Sequence, residues 1–235
     1  IGYVYLTNEI AIRRGVLTMA APRATLEESK SLLDAAVDLA NKSGISYLDV
    51  DVPSQDEPNL IVLIERGFER VRTHLHLIRS SNSPTARPSH RNIRIAQLAD
   101  VPTITTLQNA AFEGSWGFNP NTPEEIEYRI FTQPDDPPDI VLILENDIGA
   151  VAYCWTHVDP QQSGGLIGMV GVQPTVQGQG FGKDVTAAGV DHLVNTGATP
   201  ISITVDSENA PAVNLYRSLG FDLATKSLWY RLNLL

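Results

Sequence analysis

The chain has 235 residues, 43% of them hydrophobic and 19% charged, which is enough apolar material for one large or two small packed domains and excludes an intrinsically disordered chain. Its 27 acidic and 17 basic side chains leave a formal net charge of −10, which argues against a nucleic-acid partner, since gripping a phosphate backbone needs clustered Lys and Arg. The one cysteine, Cys154, excludes an internal disulfide and a cysteine-based metal site, so no metal is expected and a reducing, cytoplasmic setting is.

From the N-terminus, Ile1 reads as mid-strand, which implies that residues precede it in the natural protein. No secretory signal is visible, and Asn41-Lys42-Ser43 matches a glycosylation sequon only as a chance tripeptide. Val16–Met19 and Leu48–Val52 read as strands, with Gly44 and Gly67-Phe68 as turn punctuation around helical stretches. His74 and His76 alternate on a terminal strand and, with no third ligand nearby, read as structural. From Ser80 to Ser89, small polar residues and two prolines cannot support a core. The chain therefore divides into 1–79, a linker at 80–91 that includes His90, and 92–235.

Downstream, Ile93–Ile95 reads as a short strand, and Asp100 as the cap of a helix to about Phe112 with Pro102 in its first turn. Thr122-Pro123-Glu124-Glu125 is a capping-box signature for a second helix to about Thr132. Ile140–Glu145 and Ile148–Trp155 read as strands joined by a hairpin at Asn146-Asp147, and Leu166–Val172 as another. These apolar runs are too short to cross a bilayer, so no membrane partner is expected. A helix over Gly180–Asn195, which carries His192, stops at Gly197. A strand at Ile201–Val205, a helix at Ala210–Leu219 and a strand at Leu228–Leu232 complete the order β-α-α-β-β-β-α-β-α-β.

The two sides are related by an ungapped offset of 153. Gly44 falls on Gly197, Gly67-Phe68 on Gly220-Phe221, Val16–Met19 on Met169–Val172, and Leu48–Val52 on Ile201–Val205. Agreement of periodicity and punctuation over some sixty residues points to a duplication.

The strongest local signal is Val170-Gly171-Val172-Gln173-Pro174-Thr175-Val176-Gln177-Gly178-Gln179-Gly180-Phe181-Gly182-Lys183. A strand ends at Pro174, a Gly-rich turn follows and a helix begins inside it, which offers backbone N–H groups at the positive end of a helix dipole to a phosphate. It is not a Walker A loop, because Gly182-Lys183 is followed by Asp184 where a hydroxyl should bind Mg²⁺. It is not a dinucleotide fingerprint either. Gly178, Gly180 and Gly182 alternate, and the loop follows an antiparallel meander, although Asp206 mimics the ribose-binding acid.

Gln177-Gly178-Gln179-Gly180-Phe181-Gly182 resembles the Gln/Arg-x-x-Gly-x-Gly/Ala signature of the GNAT superfamily of N-acetyltransferases, and Asn209-x-x-Ala212-x-x-x-Tyr216-x-x-x-Gly220-Phe221 resembles its later motif. The resemblance implies an α/β (α+β mixed) fold. Two GNAT-like domains are expected, each a mixed, mostly antiparallel central sheet flanked by helices, the first truncated and degenerate. The tandem arrangement is similar to that of mycothiol synthase-like members. Acetyl-CoA is the implied cosubstrate. Val170, Gly171 and Val172 would pair with its pantetheine arm, the amides from Gln177 through Gly178, Gln179, Gly180, Phe181 and Gly182 to Lys183 would hold its pyrophosphate, and Asn209 would bond the arm. Tyr216 would donate a proton to the departing thiolate, and the N–H of Val172 would stabilise the oxyanion.

The strand Leu166–Val172 lacks the acid that many members carry there, so His157, with Asp159 close by, and then Glu113 or water are the base candidates. Phe112–Phe118, with Glu113 and Trp116, is expected to face a small-molecule amine, or equally to wedge two helices apart. In the upstream copy Gly178, Gly180 and Gly182 become Thr25, Glu27 and Ser29, while Asn209 and Tyr216 become Asp56 and Leu63, which removes the cofactor equipment. A monomer or homodimer is expected, and a non-catalytic acyl-CoA sensor is the competing class.

Overall fold

The structure, a computed structural model, describes residues 2–20, 25–80, 92–132, 139–159 and 164–234. Apart from Ser80, the linker expected at 80–91 lies outside the described residues, as does Ile1. In chain order the elements are β1 (Tyr3–Glu9), β2 (Arg14–Ala20), α1 (Leu26–Lys42), β3 (Tyr47–Pro53), α2 (Glu57–Glu65), β4 (Glu69–Arg79), β5 (Asn92–Ile95) and α3 (Val101–Phe112). Then follow α4 (Pro123–Glu127) running into a π-helical turn (Tyr128–Thr132), β6 (Ile140–Asn146), β7 (Gly149–Asp159), β8 (Gly164–Val172), α5 (Phe181–Asn195), β9 (Ile201–Asp206), α6 (Ala210–Ser218) and β10 (Asp222–Asn233). No helix among the described residues is long and apolar enough to cross a membrane.

Two compact units result, one of Ile1–His76, Asp206–Glu208 and Ala224–Leu235, the other of Leu77–Val205 and Asn209–Leu223. In the first, the strands run β1-β2-β3-β10-β4. The β1/β2 and β3/β10 pairs are antiparallel and β2/β3 is parallel. Period-two alternation along β3 buries Leu48, Val50 and Val52 against Leu33 of α1 and Leu63 of α2. The other face of β3 carries Asp49, fully buried, which accepts from Arg14 Nε at 2.7 Å and from Arg231 Nε and Nη2 at 2.7 and 2.8 Å. Two cations on one carboxylate satisfy a charge that burial would otherwise make untenable.

In the second unit the strands run β9-β8-β7-β6-β5, all antiparallel except the β8/β9 pair. Tyr153 and Trp155 of β7 face a core with Ile104 and Leu107 of α3, Ile126 of α4 and Ile130. The opposite face receives α5, which sits so close that a Cβ on Gly189 would lie 2.4 Å from Cys154 Sγ.

The duplication is visible in the backbone. Shifting α6 (210–218) back by 153 gives 57–65, the span of α2. Gly44 and Gly197 have φ of +70° and +81°, and Gly67 and Gly220 of +80° and +84°. Asp56 caps α2 through the Asn59 amide as Asn209 caps α6 through the Ala212 amide.

Two expectations are revised. Asp100 makes no side-chain cap to α3; its carboxylate accepts from Gln97 N and from Arg94, closing the turn that precedes the helix. The last strand is longer than Leu228–Leu232, and from Ala224 onward it belongs to the first unit, where Leu228 pairs with Val52 and Leu232 with Leu48. Replacing Asp49 by Ala strands the buried Arg14 and the half-buried Arg231, so the variant should lose about 3–5 kcal/mol in urea unfolding, whereas Asp34→Ala, which breaks an exposed pair with Arg66, should cost about 1 kcal/mol or less.

Candidate active site

β8 and β9 share a ladder only from Gly165/Ile201 to Ile167/Ile203, although β8 continues to Val172 and β9 to Asp206. Beyond that point β8 carries an extra residue. Trp155 opposes Met169 and Thr156 opposes Ile167, which leaves Gly168 between them as a bulge. A bulge bends its strand, and the two strands part. Gln173 N donates to Val151 O on the β7 side at 2.8 Å, so by alternation Gly171 also turns its polar backbone to β7. Val170 and Val172 turn theirs to the opened side, where the Val172 carbonyl accepts from Gln177 Nε2 at 3.2 Å. Gly171 therefore serves by its lack of a side chain: a Cβ there would lie 2.3 Å from Tyr153 Cε1 and 3.1 Å from Ala111 Cβ.

After β8 the chain makes a short 3₁₀ turn (Pro174–Val176), and left-handed Gly178 (φ +78°) and Gly180 (φ +86°) swing it into α5. Gly180 is the N-cap, and no side chain caps this end of the helix. Gly182, in the first turn, has Leu215 Cδ1 and Val172 Cγ2 at 3.2 and 3.3 Å from where a Cβ would stand. The first turn of a helix offers amides that have no partner within the helix, here at the positive pole of the dipole.

These parts border one cavity of about 970 Å³. Its lining includes Val170, Gly171, Val172, Gln177, Gly178, Gly180, Phe181, Gly182 and Lys183, together with Glu113, Asn209 and Tyr216. Gln179 and Trp116 are not among the lining residues, and Trp116 is half-buried. Asn209 Oδ1 accepts from Ala212 N at 3.2 Å. Tyr216 is 7% exposed and meets Phe221 edge-on at 6.1 Å. Burial, and to a lesser degree the Cys154 thiol, push its phenol above the ordinary value, and burial pushes the Cys154 thiol up to about 12.

His157 stands apart from the cavity lining. Its Nδ1 lies 2.6 Å from Asp139 Oδ1, and Asp139 Oδ2 accepts from Trp155 Nε1, also at 2.6 Å. The Arg129 guanidinium lies over the Trp155 ring, 4.9 Å from its centroid. Sequence reading passed over Asp139, Tyr153 and Arg129, because what singles them out is contacts across strands and not a local pattern. On α3, one turn before Ala111, the Gln108 amide is buried with neither end hydrogen-bonded.

The family model described as Acetyltransferase (GNAT) family matches residues 101–221, which is 121 of 235. The chain belongs to the GNAT family. It is 29% identical over 166 residues to the mycothiol acetyltransferase of Streptomyces bingchenggensis, a match covering 66% of this chain and 54% of that protein. This chain thus spans about half the length of that relative. Among solved structures it is similar to a GCN5-related N-acetyltransferase from Sphaerobacter thermophilus, with TM-score 0.76 and 16% identity, covering 99% of this chain and 76% of that one. It is also similar to a tandem GNAT protein from the clavulanic acid biosynthesis pathway, with TM-score 0.75 and 15% identity, covering 99% and 79%. The GNAT fold is present in tandem, and the first copy is the degenerate one. At the start of α1, Thr25 Oγ1 accepts from Glu28 N while Glu28 Oε2 accepts from Thr25 N at 2.7 Å, so side chains close the helix end that is left open in the second copy.

Two outcomes follow from these contacts. Gly171→Ala should overpack the sheet and lower stability by about 1–3 kcal/mol, with coupling of at least about 0.5 kcal/mol to Tyr153→Leu in a double-mutant cycle. Cys154, buried and held protonated, should not react with a disulfide reagent until the protein unfolds, when one thiol should titrate.

Proposed function

We propose that this GNAT protein transfers the acetyl group of acetyl-CoA to a primary amine on a small molecule by direct attack. The supporting observation is the single cavity that joins the parted edge of β8, the uncapped start of α5 and the buried phenol of Tyr216. The cradle suits the cosubstrate. Left-handed glycines shape its floor, a Cβ on Gly182 would fit only tightly against Leu215 and Val172, and Lys183 supplies a cation at its border. Mycothiol acetyltransferase, the name of the Streptomyces relative, supports a small-molecule acceptor.

Acetyl-CoA supplies an activated thioester; the chain binds, orients and polarises it. Val170 and Val172 offer backbone groups to the pantetheine arm as an added strand would. The amides of Gly182 and Lys183 face its diphosphate at the helix start, and Asn209 lies beside the arm. When the amine adds to the carbonyl, the Val172 N–H meets the negative charge forming on oxygen. Tyr216 donates a hydrogen bond to the leaving sulfur. A thiol is the stronger acid, so full proton transfer to sulfur depends on burial that penalises the bare thiolate as it does the phenolate.

His157, fixed by Asp139, is the base in this reading. It opposes Leu166, four residues before Val170 and roughly 13 Å away along the strand, so it takes the amine's proton through water. The first copy takes no CoA, because Thr25 and Glu28 occupy its helix start and Glu27 adds a second negative charge.

Calorimetry should find one acetyl-CoA per chain, and Gly180→Val should weaken it at least about tenfold, by roughly 1.4 kcal/mol. Tyr216→Phe should lower kcat by about 10²-fold with CoA affinity kept. Because the folded-state pKa of Tyr216 is raised, its proton-bearing form persists as pH rises, and kcat should not fall on the alkaline side before about pH 10, the ordinary phenol value. His157→Gln should lower kcat with CoA affinity kept. CoA binding without thiol release on any amine, with Tyr216→Phe silent, would replace the enzyme reading with a sensor.

A further inference from the structure

The proposed reaction needs a primary amine beside Val170, and the neighbouring surface of the second unit holds an unused recognition group. Trp155 opposes Met169, the residue before Val170, and its ring is only 4% exposed. The Arg129 guanidinium lies over that ring, 4.9 Å from its centroid. The ring is itself fixed, because Asp139 accepts its Nε1–H at 2.6 Å. Arg129 is thus a surface cation on a rigid support, worth about 0.5–1 kcal/mol from the ring contact alone at an exposed site.

Among the described residues its hydrogen-bonding edge is unspent. Among the described residues, Arg14, Arg66, Arg72, Arg94 and Arg231 all point their forks at Asp or Glu side chains. Arg129 has no such partner among the described residues. Asp139, the acid of its own cluster, has both oxygens engaged, one by Trp155 and one by His157. Among the described residues the Arg129 guanidinium, a planar cation with five N–H donors, makes no hydrogen bond, so its fork is open to a ligand. Through Trp155 it is tied to β7 opposite Met169, the residue before Val170. Burial is the main cause that raises the Tyr153 phenol, but the charge of Arg129 acts on it in the opposite sense, and the Tyr153 ring packs on Gly171. Leu166, 39% exposed and paired with His157, adds an apolar surface two positions further along β7 from Trp155.

We propose that Arg129 binds a carboxylate on the acceptor, so that the substrate class is an amine carrying a carboxylate several bonds away. A guanidinium fork matches a carboxylate in two parallel hydrogen bonds, and the stacked ring holds the fork in place before binding. From the open edge at Val170 to Arg129 the path crosses one strand spacing and then the depth of the indole, roughly 10 Å. That span excludes an α-amino acid bound through its own carboxylate and suits an extended ω-amino acid. This inference rests on the acetyl-transfer reading for its reaction but not for its binding step.

The test therefore has two arms. In the first, calorimetry with 6-acetamidohexanoate, a product analogue, and with N-hexylacetamide, its neutral counterpart, reads binding without chemistry. The carboxylate should bind at least tenfold more tightly than the neutral amide. Arg129→Gln should abolish that preference while lowering the melting temperature by no more than about 4 °C, the loss of the ring contact, and Arg129→Lys should keep only part of it. In the second arm, thiol release from acetyl-CoA with 6-aminohexanoate and hexylamine should show the same ratio in kcat/KM and the same dependence on Arg129. Equal binding of the two amides, or a preference unchanged in Arg129→Gln, overturns the proposal, as does tighter binding of the matching 6-acetamidohexyl phosphate. Absence of thiol release with every amine, while the Arg129-dependent binding persists, overturns acetyl transfer and leaves the carboxylate site standing.

Discussion

Tyr153 occupies the space where a side chain on Gly171 would be, and the course of β8 follows from that contact. A full ring beside β8 is accommodated only because residue 171 has no Cβ, and the neighbouring bulge at Gly168 turns the strand's end out of its ladder with β9. A second close contact, Gly189 on Cys154, holds α5 down on the other face of β7. The helix start and the free strand edge are therefore both referenced to β7. A cleft built on strands and a helix in this way is held more sharply than one built on loops, which suits the proposed placement of a thioester. One glycine lets the ring in and another lets the helix down. Either Cβ would disturb the spacing on which the cavity depends.

The two copies show how little separates a ligand site from a plain scaffold on one backbone plan. Both keep the left-handed glycine after the long helix, the capped second helix and the Gly-Phe turn. They diverge at the start of the long helix. In the first copy a Thr–Glu capping box satisfies the end of α1 from within, a contribution of about 1 kcal/mol to stability. In the second, Gly180 forgoes that gain and leaves the dipole's positive pole to be met by something else. The first copy spends its polar residues elsewhere, on the Asp49 carboxylate clamped by two arginines, an arrangement that holds strands together and offers nothing to a solute.

Much of this was legible in the residue order. Element types and most boundaries follow from periodicity and from glycine and proline punctuation, and the Gly-rich turn and the Asn209–Tyr216 spacing pointed to the residues that line the cavity. What escaped reading shares one physical cause, namely partners far away in the chain. Leu228 meets Val52 across 176 positions, and nothing in a run such as Leu228–Leu232 says which edge it will join. Asp100 has the sequence context of a helix cap, but Arg94, six residues back, competes for its carboxylate with two charge-assisted bonds and wins. Asp139 sits at the mouth of a strand in a proline-rich stretch, and only the β6/β7 pairing brings it to Trp155 and His157.

The acidity of the chain looks ill suited to an anionic cosubstrate, and the geometry explains why it need not be. Net charge acts over distance, and at physiological ionic strength its reach is about 8 Å through water. A diphosphate at the start of α5, as proposed above, would meet backbone donors at hydrogen-bond distance, well inside that screening length, with Lys183 at the border of the same cavity. Of the cavity-lining residues, Glu113 alone is acidic, and it sits at the end of α3, apart from the glycine-rich turn. The site is thus locally neutral to positive within a negative protein. In the proposed reading it recognises charge through fixed dipoles at contact distance, so acetyl-CoA binding there should resist added salt far better than binding to a basic patch would.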